Sequence, residues 1–371
     1  MRAATLEESD ALHREVRAFA AGQSRVTFDE LALQIARFQA EHIAGFRQLV
    51  ARFGSRLDSV ESIPGVPTDA FKLTRVAVHP PELDVVRFRT SGTSAEAQGV
   101  HALRSTLTYS ALSERLGRRA LMSEESAVVV ALTPNPSDPV ESSLVFMMRE
   151  FMRSFDPDFV ADGGVTEPPL ERWLFGKEGA NLTGLKRACS YAKEIQRPLL
   201  LLSTSLALWQ LLEQLDGVHF PLPASSVVMH TGGPKRRSSV LDLGDLRARL
   251  ALRFELDPCQ IVAEYGMTEL SSQLYEGTAR GVSLKGQSGV FLPPAWLRVT
   301  PVDPLHLRPV VPGTVGLARF VDLGNVDSAV AVITQDLVRA RDGGIELLGR
   351  QPGAVARGCS LAIEALLEGA E

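Results

Sequence analysis

The chain has 371 residues, of which 45% are hydrophobic and 22% are charged, a balance typical of one large globular domain or two and not of a disordered chain. Lys and Arg total 39, Asp and Glu total 44, and the net charge is −5. Since no long basic run is present, the composition argues against a nucleic-acid-binding surface.

The first residues are charged throughout, and no window approaches 18 consecutive apolar residues. We therefore expect neither a signal peptide nor a membrane span. The three cysteines, Cys189, Cys259 and Cys359, are far apart and show neither metal-ligand nor disulfide-framework spacing. These features predict a reduced, cytoplasmic protein.

The N-terminal part is predicted to be helical. Between residues 5 and 55, apolar side chains such as Leu31, Ile35 and Phe38 recur near helical spacing with charges between them. We assign residues 1–60 to this helical segment. Residues 61–72, which include two prolines, are predicted to form an ordered loop, and the following VVRFRT is predicted to be a strand.

From residue 127 onward, strands and helices alternate. The predicted strands are 127–134, 198–205, 225–233 and 260–269, and the predicted helices are 206–215 and 241–254. Polar or glycine-rich loops follow the strands, which is the layout of an α/β sheet with ligand-binding loops at its carboxyl edge.

These patterns divide the chain after the helical segment into three parts. Residues 61–284 are predicted to form an α/β core that carries the site loops. Residues 285–350 are predicted to form a small β-rich part, because short strands there are separated by Pro, Gly and Asp turns. Residues 351–371 form a C-terminal segment that carries Cys359.

The stretch RTSGTSAEAQG begins with a loop suited to phosphate. Thr90, Ser91, Gly92, Thr93 and Ser94 offer hydroxyl groups and a flexible backbone whose N–H groups can face an anion. No GK[ST] sequence follows, so this is not a Walker A loop. The alternative reading is a polar turn after a strand.

Four further loops could carry chemistry. In Glu264–Glu269, EYGMTE, a tyrosine ring can stack on a base, a threonine hydroxyl can reach a phosphate and a carboxylate can hold Mg²⁺. The remaining loops are TGG at 231–233, TQD at 334–336 and GR at 349–350. Each alone is weak and could be a turn.

Together and in this order, the five loops resemble those of the adenylate-forming superfamily. Its phosphate loop matches Thr90 to Ser94, and its Y-G-x-T-E motif matches Tyr265 to Glu269. Its ribose-binding aspartate corresponds to Asp336, and its hinge-proximal Gly-Arg to Gly349-Arg350. The resemblance implies a sheet domain of that fold that uses ATP and Mg²⁺ to activate a carboxylic acid as an acyl-adenylate and then passes the acyl group to a thiol.

The resemblance assigns roles to single residues. Glu269 would hold Mg²⁺ through the nucleotide, and the nucleotide-binding set would be Thr90, Ser91, Gly92, Thr93, Ser94, Gly232, Gly233, Tyr265, Gly266, Thr268, Glu269, Asp336 and Arg350. Candidates for the acyl pocket are His230, Met267, Lys72 and His101, which stand near the strand ends or the loops before them.

Within the superfamily, the chain resembles the acyl-protein synthetases of bacterial bioluminescence. That family shows I-P-x-x-P-T-x-x-F-K, matched by Ile63 to Lys72, and a T-G-G strand end, matched by Thr231 to Gly233. It also shows a P-P-W-like stretch, matched by Pro293 to Trp296. Its G-C-S-L segment, matched by Gly358 to Leu361, places the acyl-accepting cysteine at Cys359, and its acceptor would be an acyl-reductase or acyl carrier protein.

The residues around Cys359 support a nucleophile independently. LAIEALLE after it favours a helix, and a thiol at a helix N-terminus near Arg357 would have its thiolate favoured. We also expect the short terminal segment to swing into the cleft. The alternative is a small buried hydrophobic residue, which is the interpretation we favour for Cys189 and Cys259.

Two features depart from the superfamily pattern. The phosphate loop continues as AEAQ, residues 95–98, with an acid and no base, and an acid disfavours polyphosphate. Arg87, Arg89 or Arg104 could compensate from outside the loop. Only 21 residues follow Arg350, and none is lysine, so we expect this chain to lack the full lid domain.

The departures leave three functions open. The first is an acyl-protein synthetase that forms acyl-AMP and then a thioester on Cys359. The second is an ATP-independent transferase that moves an acyl group from acyl-CoA to Cys359 and on to a carrier protein. The third, which has the least support, is an acyl-binding subunit without turnover. The acid itself, fatty or aromatic, is open.

Overall fold

The computed structural model describes residues 3–90, 98–136, 139–159, 170–232, 242–352 and 357–368. Within these ranges the chain forms ten α-helices: α1 (Ala3–Ala20), α2 (Phe28–His42), α3 (Ala44–Arg52), α4 (Ala70–Leu73), α5 (Leu107–Leu121), α6 (Ser143–Phe155), α7 (Leu182–Glu194), α8 (Ser205–Leu215), α9 (Leu243–Phe254) and α10 (Arg357–Glu368). None of these helices is long and apolar enough to cross a bilayer.

The same ranges contain fifteen strands: β1 (Val66–Pro67), β2 (Val86–Arg89), β3 (Val100–Leu103), β4 (Val128–Leu132), β5 (Phe175–Gly176), β6 (Gly179–Ala180), β7 (Leu199–Thr204), β8 (Val227–Thr231), β9 (Ile261–Tyr265), β10 (Leu274–Tyr275), β11 (Val290–Phe291), β12 (Leu297–Val302), β13 (Val315–Asp322), β14 (Ala331–Arg341) and β15 (Gly344–Arg350).

A five-stranded sheet in the order β10-β9-β8-β7-β4 forms the centre. Strands β4, β7, β8 and β9 are parallel, and β10 is antiparallel to β9. Their sequences are near-continuous apolar runs, as expected for parallel strands that are covered on both faces. The four strands predicted between residues 127 and 269 are these four, and the predicted α/β class is confirmed.

Alternate residues of the central strands enter two different cores. Val128, Leu199 and Val228 belong to the core that α7, α8 and α9 cover, whereas Val129 and Leu200 belong to the core shared with α5, α6 and the second sheet. The central sheet therefore lies between a helical layer and the rest of the molecule, and its carboxyl edge faces the loops of the second sheet.

The second sheet has the order β11-β15-β14-β13-β12, with β1 added in parallel beside β14. Strands β12 to β15 are antiparallel neighbours and account for most of the predicted β-rich part. Strand β1 comes from the two-proline loop of residues 61–72, where Val66 pairs with Val332 and Pro67 with Ile333. This pairing brings Asp69 and Lys72 to the end of β14.

Helices α1 to α3 attach to the connection between β13 and β14. The Gln39 amide donates to Asn325 O at 2.7 Å and Val326 O at 2.9 Å, and it accepts from Val330 N. Asp327 accepts from Ser9 at 2.5 Å and pairs with His13 at 3.1 Å. The predicted helical N-terminal segment is therefore packed on the site side of the second sheet.

Helix α10 lies against α3, β1 and α4. A Cβ built on Gly45 of α3 would lie 2.6 Å from Leu366 O, so the glycine is required for this close approach. At the other end of α10, Cys359 is 2% exposed and packs with Val302, Leu317 and Ile333.

We predict that Gly45→Ala displaces α10 at a cost of about 1–3 kcal/mol, the usual cost of overpacking, and thereby increases the reaction of Cys359 with a thiol reagent. Labelling of the Cys359 peptide can be followed by mass spectrometry. Gly176→Ala is the matched control, because a Cβ at Gly176 would meet nothing within 4 Å. Equal labelling of wild type and Gly45→Ala would contradict the close approach.

Candidate nucleotide and acyl site

The carboxyl end of β9 meets the middle of β14, at Asp336, and the end of β15, at Arg350. Thr204, Thr231 and Glu264 stand in one row across the central sheet, because Thr204 pairs with Thr231 and Thr231 with Glu264. Directly after this row, β9 ends at Tyr265, and the YGMTE loop turns toward the second sheet.

Tyr265, Asp336 and Arg350 form one cluster. The Tyr265 hydroxyl donates to Asp336 Oδ2 at 2.7 Å, and Arg350 Nε donates to Asp336 Oδ1 at 3.2 Å. Three motifs that are separated by up to 85 positions in the sequence are thus joined at a single carboxylate. A carboxylate has about four acceptor sites, so Asp336 retains capacity for two further donors, as a ribose diol would supply.

The Tyr265 ring stacks on Phe320, with centroids 5.7 Å apart and planes at 16°. Phe291 meets it edge-on at 6.3 Å. Burial and the neighbouring Asp336 raise the pKa of the Tyr265 hydroxyl well above its usual value, so it stays protonated and donates. Since Phe320 occupies one ring face, a base would stack on the opposite face.

Lys72 comes to the site through the pairing of β1 with β14. Its ammonium lies 2.8 Å from Asp69 Oδ1, and Asp69 Oδ2 accepts from the Gln335 amide at 2.8 Å. A Cβ on Gly99 would lie 3.5 Å from Lys72 Cγ and 3.1 Å from Thr90 Cγ2. Lys72 is therefore a neighbour of the predicted phosphate loop, and Asp69 and Gln335 are site residues that the motifs did not single out.

Thr90 closes the base of the β2–β3 hairpin. Its backbone N donates to Gly99 O at 3.0 Å, and its hydroxyl accepts from Gly99 N at 2.9 Å. The rest of the predicted phosphate loop, Ser91, Gly92, Thr93 and Ser94, lies outside the described residues, as does Gly233.

The arginines expected to compensate for the acid in this loop are already paired. Arg87 donates to Asp84 at 2.7 Å, Arg89 donates to Glu141 at 2.8 Å, and Arg104 lies 2.5 Å from Asp10. Because the acid-bearing part of the loop lies outside the described residues, compensation by these arginines stays a prediction.

Thr268 and Glu269 follow Tyr265 on the same loop. The Thr268 hydroxyl donates to Arg89 O at 3.4 Å, which places it at the end of β2, beside the phosphate-loop hairpin.

Glu269 is 5% exposed, and burial raises its pKa to about 7, although Arg350 and Lys72 act in the opposite direction. Its carboxyl, between these cations, remains the candidate for Mg²⁺. Within the described ranges, no group of three or more His, Cys, Asp and Glu residues forms a metal site without a nucleotide.

His101, a predicted acyl-pocket residue, supports the YGMTE loop. Its Nδ1–H donates to Thr268 O at 2.8 Å, since a carbonyl oxygen only accepts, and its Nε2 therefore accepts from Ser328 Oγ at 2.9 Å. The side chain is 1% exposed, and burial lowers its pKa to about 4. Both ring nitrogens are bonded to the protein, so neither is left for a ligand, and the place of His101 in the acyl pocket stays a prediction.

His230 is held by Ser205 at the start of α8. The Ser205 hydroxyl donates to Gly232 O at 2.6 Å and accepts from His230 Nδ1–H at 3.0 Å. Burial lowers the pKa of the ring to about 4, and its Nε2 is buried without a partner. His230 is thus a neutral ring that offers a lone pair at Nε2, and its place in the acyl pocket stays a prediction.

Met267 is half-buried, with its sulfur 4.0 Å from the Tyr265 hydroxyl. Its proposed place in the acyl pocket remains a prediction.

Cys359 does not have the favoured thiolate predicted from its place at a helix N-terminus. Burial among Val302, Leu317 and Ile333, together with the charge of Asp69, raises the pKa of the thiol to about 11. It is the third residue of α10, a docked helix. Because desolvation outweighs the helix N-terminus, the docked thiol is protonated at neutral pH; whether it accepts an acyl group stays a prediction.

Comparison with known proteins gave matches only in structure. No protein-family model matches the sequence, and a search of curated proteins gave no match. An open conformation of 2-hydroxyisobutyryl-CoA ligase, in complex with 2-HIB-AMP and CoA, superposes with a TM-score of 0.58 at 13% identity, covering 88% of this chain and 75% of the ligase. The chain has the fold of the adenylate-forming ligases.

Two further states of that ligase are equally similar. The postadenylation state in complex with 2-HIB-AMP gives a TM-score of 0.59 at 13% identity, covering 89% of this chain and 68% of the ligase. The thioesterification state with 2-HIB-AMP and CoA gives 0.58 at 14% identity, covering 94% and 69%. At such low identity the likeness establishes the fold alone.

We predict that His101 makes the stability of the protein depend on pH. Unfolding returns its pKa from about 4 to about 6.5, so the folded state loses stability as the pH falls from about 6.5 toward 4. A His101→Asn variant lacks this loss. The difference in free energy of unfolding between wild type and variant should shrink by about 2 kcal/mol from pH 7.5 to pH 5, as measured by urea titration. A difference independent of pH would contradict a neutral, buried His101.

Proposed function

We propose that the chain activates a carboxylic acid with ATP and Mg²⁺ as an acyl-adenylate and then passes the acyl group to a thiol. The observation that carries this proposal is the cluster at Asp336, whose carboxylate joins Tyr265 and Arg350 at the carboxyl edge of the central sheet. This combination offers a ring face for a base, acceptors for a ribose diol and a cation for phosphate.

In the first step, a carboxylate oxygen of the acid attacks the α-phosphorus of ATP, and pyrophosphate leaves with its bonding electrons. Negative charge grows on the phosphate oxygens, and Lys72 and Arg350 are the described cations nearest to offset it. Glu269 would hold Mg²⁺, which supplies further positive charge to the phosphates. The Thr268 hydroxyl, beside the phosphate-loop hairpin, would donate to a phosphate oxygen.

In the second step, the Cys359 thiolate attacks the acyl carbonyl carbon, a C–S bond forms, and AMP leaves. The acyl group would then move by thioester exchange to the thiol of a carrier protein or an acyl reductase. The docked thiol is protonated and 2% exposed, so we infer that α10 must leave its groove before acylation.

A second candidate is transfer without ATP. Acyl-CoA would acylate Cys359 and release CoA, and a phosphopantetheine thiol would then collect the acyl group. The specific observation in its favour is the AEAQ sequence at residues 95–98, which adds an acid and no base to the phosphate loop.

Intact-protein mass spectrometry distinguishes the two candidates. Wild type and Cys359→Ser are incubated with carboxylic acids plus ATP·Mg²⁺, and in parallel with the matching acyl-CoAs. We expect an acyl adduct on wild type that needs ATP and is lost in Cys359→Ser. An adduct from acyl-CoA alone favours the transferase. Full acylation of Cys359→Ser would rule out Cys359 as the carrier.

Asp336→Ala tests the nucleotide site separately from the cysteine. Loss of charge-assisted hydrogen bonds, worth about 1.5–3 kcal/mol, should weaken ATP binding by about 10- to 100-fold, as measured by titration calorimetry. Asp342→Ala, in the turn between β14 and β15, is the control. Unchanged ATP affinity in Asp336→Ala would contradict the proposed ribose contact.

A further inference from the structure

A second group of polar side chains lies beside the proposed nucleotide site, over Gly266. A Cβ built on Gly266 would overlap Glu264 Oε1 and would lie 3.5 Å from Gln273 Cγ. Glu264 and Gln273 are 5% and 4% exposed, and they reach this place from β9 and from the loop that enters β10. The glycine, the second residue of the YGMTE loop, leaves the space that both side chains border.

The orientation of the Gln273 amide is determined by its neighbours. The Tyr109 hydroxyl donates its one proton to Ser143 O at 3.1 Å, so it can only accept from Gln273. The nitrogen of the amide must therefore face Tyr109, which it does at 3.3 Å. As a consequence, Gln273 Oε1 points away from Tyr109, and it is buried without a hydrogen-bond partner.

Glu264 adds a second acceptor at the same place. Its carboxyl receives the Thr231 hydroxyl, and burial raises its pKa from 4.5 to about 7. Among the described residues, no Lys, Arg or His forms an ion pair with it. A carboxyl group at this depth without a cation is costly, by several kcal/mol when ionised.

The group thus holds more acceptors than donors. Of the two side chains, Gln273 Oε1 is the acceptor without a partner, and such an atom costs about 1–3 kcal/mol, which a ligand that brings a donor would recover. A hydroxyl group has a single proton and satisfies one of the two acceptors. An amino group has at least two N–H donors and can satisfy the Glu264 carboxyl and Gln273 Oε1 together.

We propose that the acid bound at this site carries an amino group, which Glu264 and Gln273 recognise over Gly266. The inference rests on the proposed function in that the ligand is the carboxylic acid to be activated. The nucleotide contacts do not determine which acid is bound. The Glu264 and Gln273 side chains would select among acids of similar size. Tyr109 acts as a positioning residue, since its hydroxyl fixes the amide of Gln273.

Binding of matched acids to the full-length protein tests the proposal. The probes are benzoic acid and its amino and hydroxy derivatives, and hexanoic acid with 6-aminohexanoic and 6-hydroxyhexanoic acid, titrated by calorimetry with and without ATP·Mg²⁺. In at least one series, we expect the amino-substituted acid to bind at least 10-fold more tightly than both counterparts. Equal or weaker binding of every amino-substituted acid, or no binding of any, would overturn the proposal.

Two variants test whether Glu264 and Gln273 cause the preference for the amino group. Glu264→Gln and Gln273→Leu should each reduce the preference for the amino group to about 2-fold or less, with little change for the unsubstituted acid. Glu255→Gln, at an exposed carboxylate that follows the last residue of α9, is the control. Retention of the full preference in both variants would contradict the assignment; if either fails to fold, Glu264→Asp, which keeps the charge but moves it, should weaken the preference partially.

The outcome separates this inference from the proposed function. An amino preference in binding without any ATP-dependent product would uphold the recognition site and remove the synthetase. ATP-dependent activation of unsubstituted acids in preference to amino-substituted ones would uphold the synthetase and remove the recognition site.

Discussion

The connection between β13 and β14, residues 322–330, is a buried polar segment on which the rest of the molecule depends. Asp322 is fully buried and accepts from Ser271 N, the Ser272 hydroxyl and Gly324 N at 2.7–2.9 Å. Asn325 donates to Glu269 O at 2.9 Å and accepts from Ser271 Oγ at 2.7 Å. Because backbone and carboxyl groups at this depth must find partners, the segment fixes the loop that carries Glu269.

The same segment explains why the N-terminal helices belong to the site. Gln39 of α2 satisfies backbone groups of the connection, and Ser9 and His13 of α1 bind Asp327. These bonds hold the pKa of Asp327 down at about 2 against the effect of burial. Removing the helices would leave a buried carboxylate and several backbone groups unsatisfied, so the helices are part of the structure that positions the nucleotide loops.

The electrostatics of the site follow from its depth. Burial raises the pKa of Glu264 and Glu269 to about 7 and lowers that of His101 and His230 to about 4. Near neutral pH both rings are therefore uncharged, and positive charge near the YGMTE loop is left to Lys72 and Arg350. A site with few cations and with an unsatisfied acceptor at Gln273 Oε1 suits a ligand that brings its own cation and donors, as ATP·Mg²⁺ and an amino-substituted acid would.

The sequence was most informative about those features that a local residue pattern is sufficient to determine. The runs at Val128–Leu132 and Leu199–Thr204 predicted buried parallel strands, and the order of the TGG, YGMTE, TQD and GR motifs anticipated that Tyr265, Asp336 and Arg350 meet. It could not show contacts between distant segments, such as β1 beside β14, which brings Asp69 and Lys72 to the site. The burial of Cys359 and His101, which raises the pKa of the thiol and lowers that of the imidazole, could not be predicted for the same reason, because it is set by elements far away in the chain.

A crystal structure with a non-hydrolysable acyl-sulfamoyl adenosine would show whether the Asp336 cluster holds an acyl-adenylate. We expect ribose hydroxyls on Asp336, the base against the Tyr265 face opposite Phe320, and the acyl group directed toward Glu264 and Gln273. A structure in which the analogue binds elsewhere, with Asp336 still engaged only by Tyr265 and Arg350, would contradict this expectation.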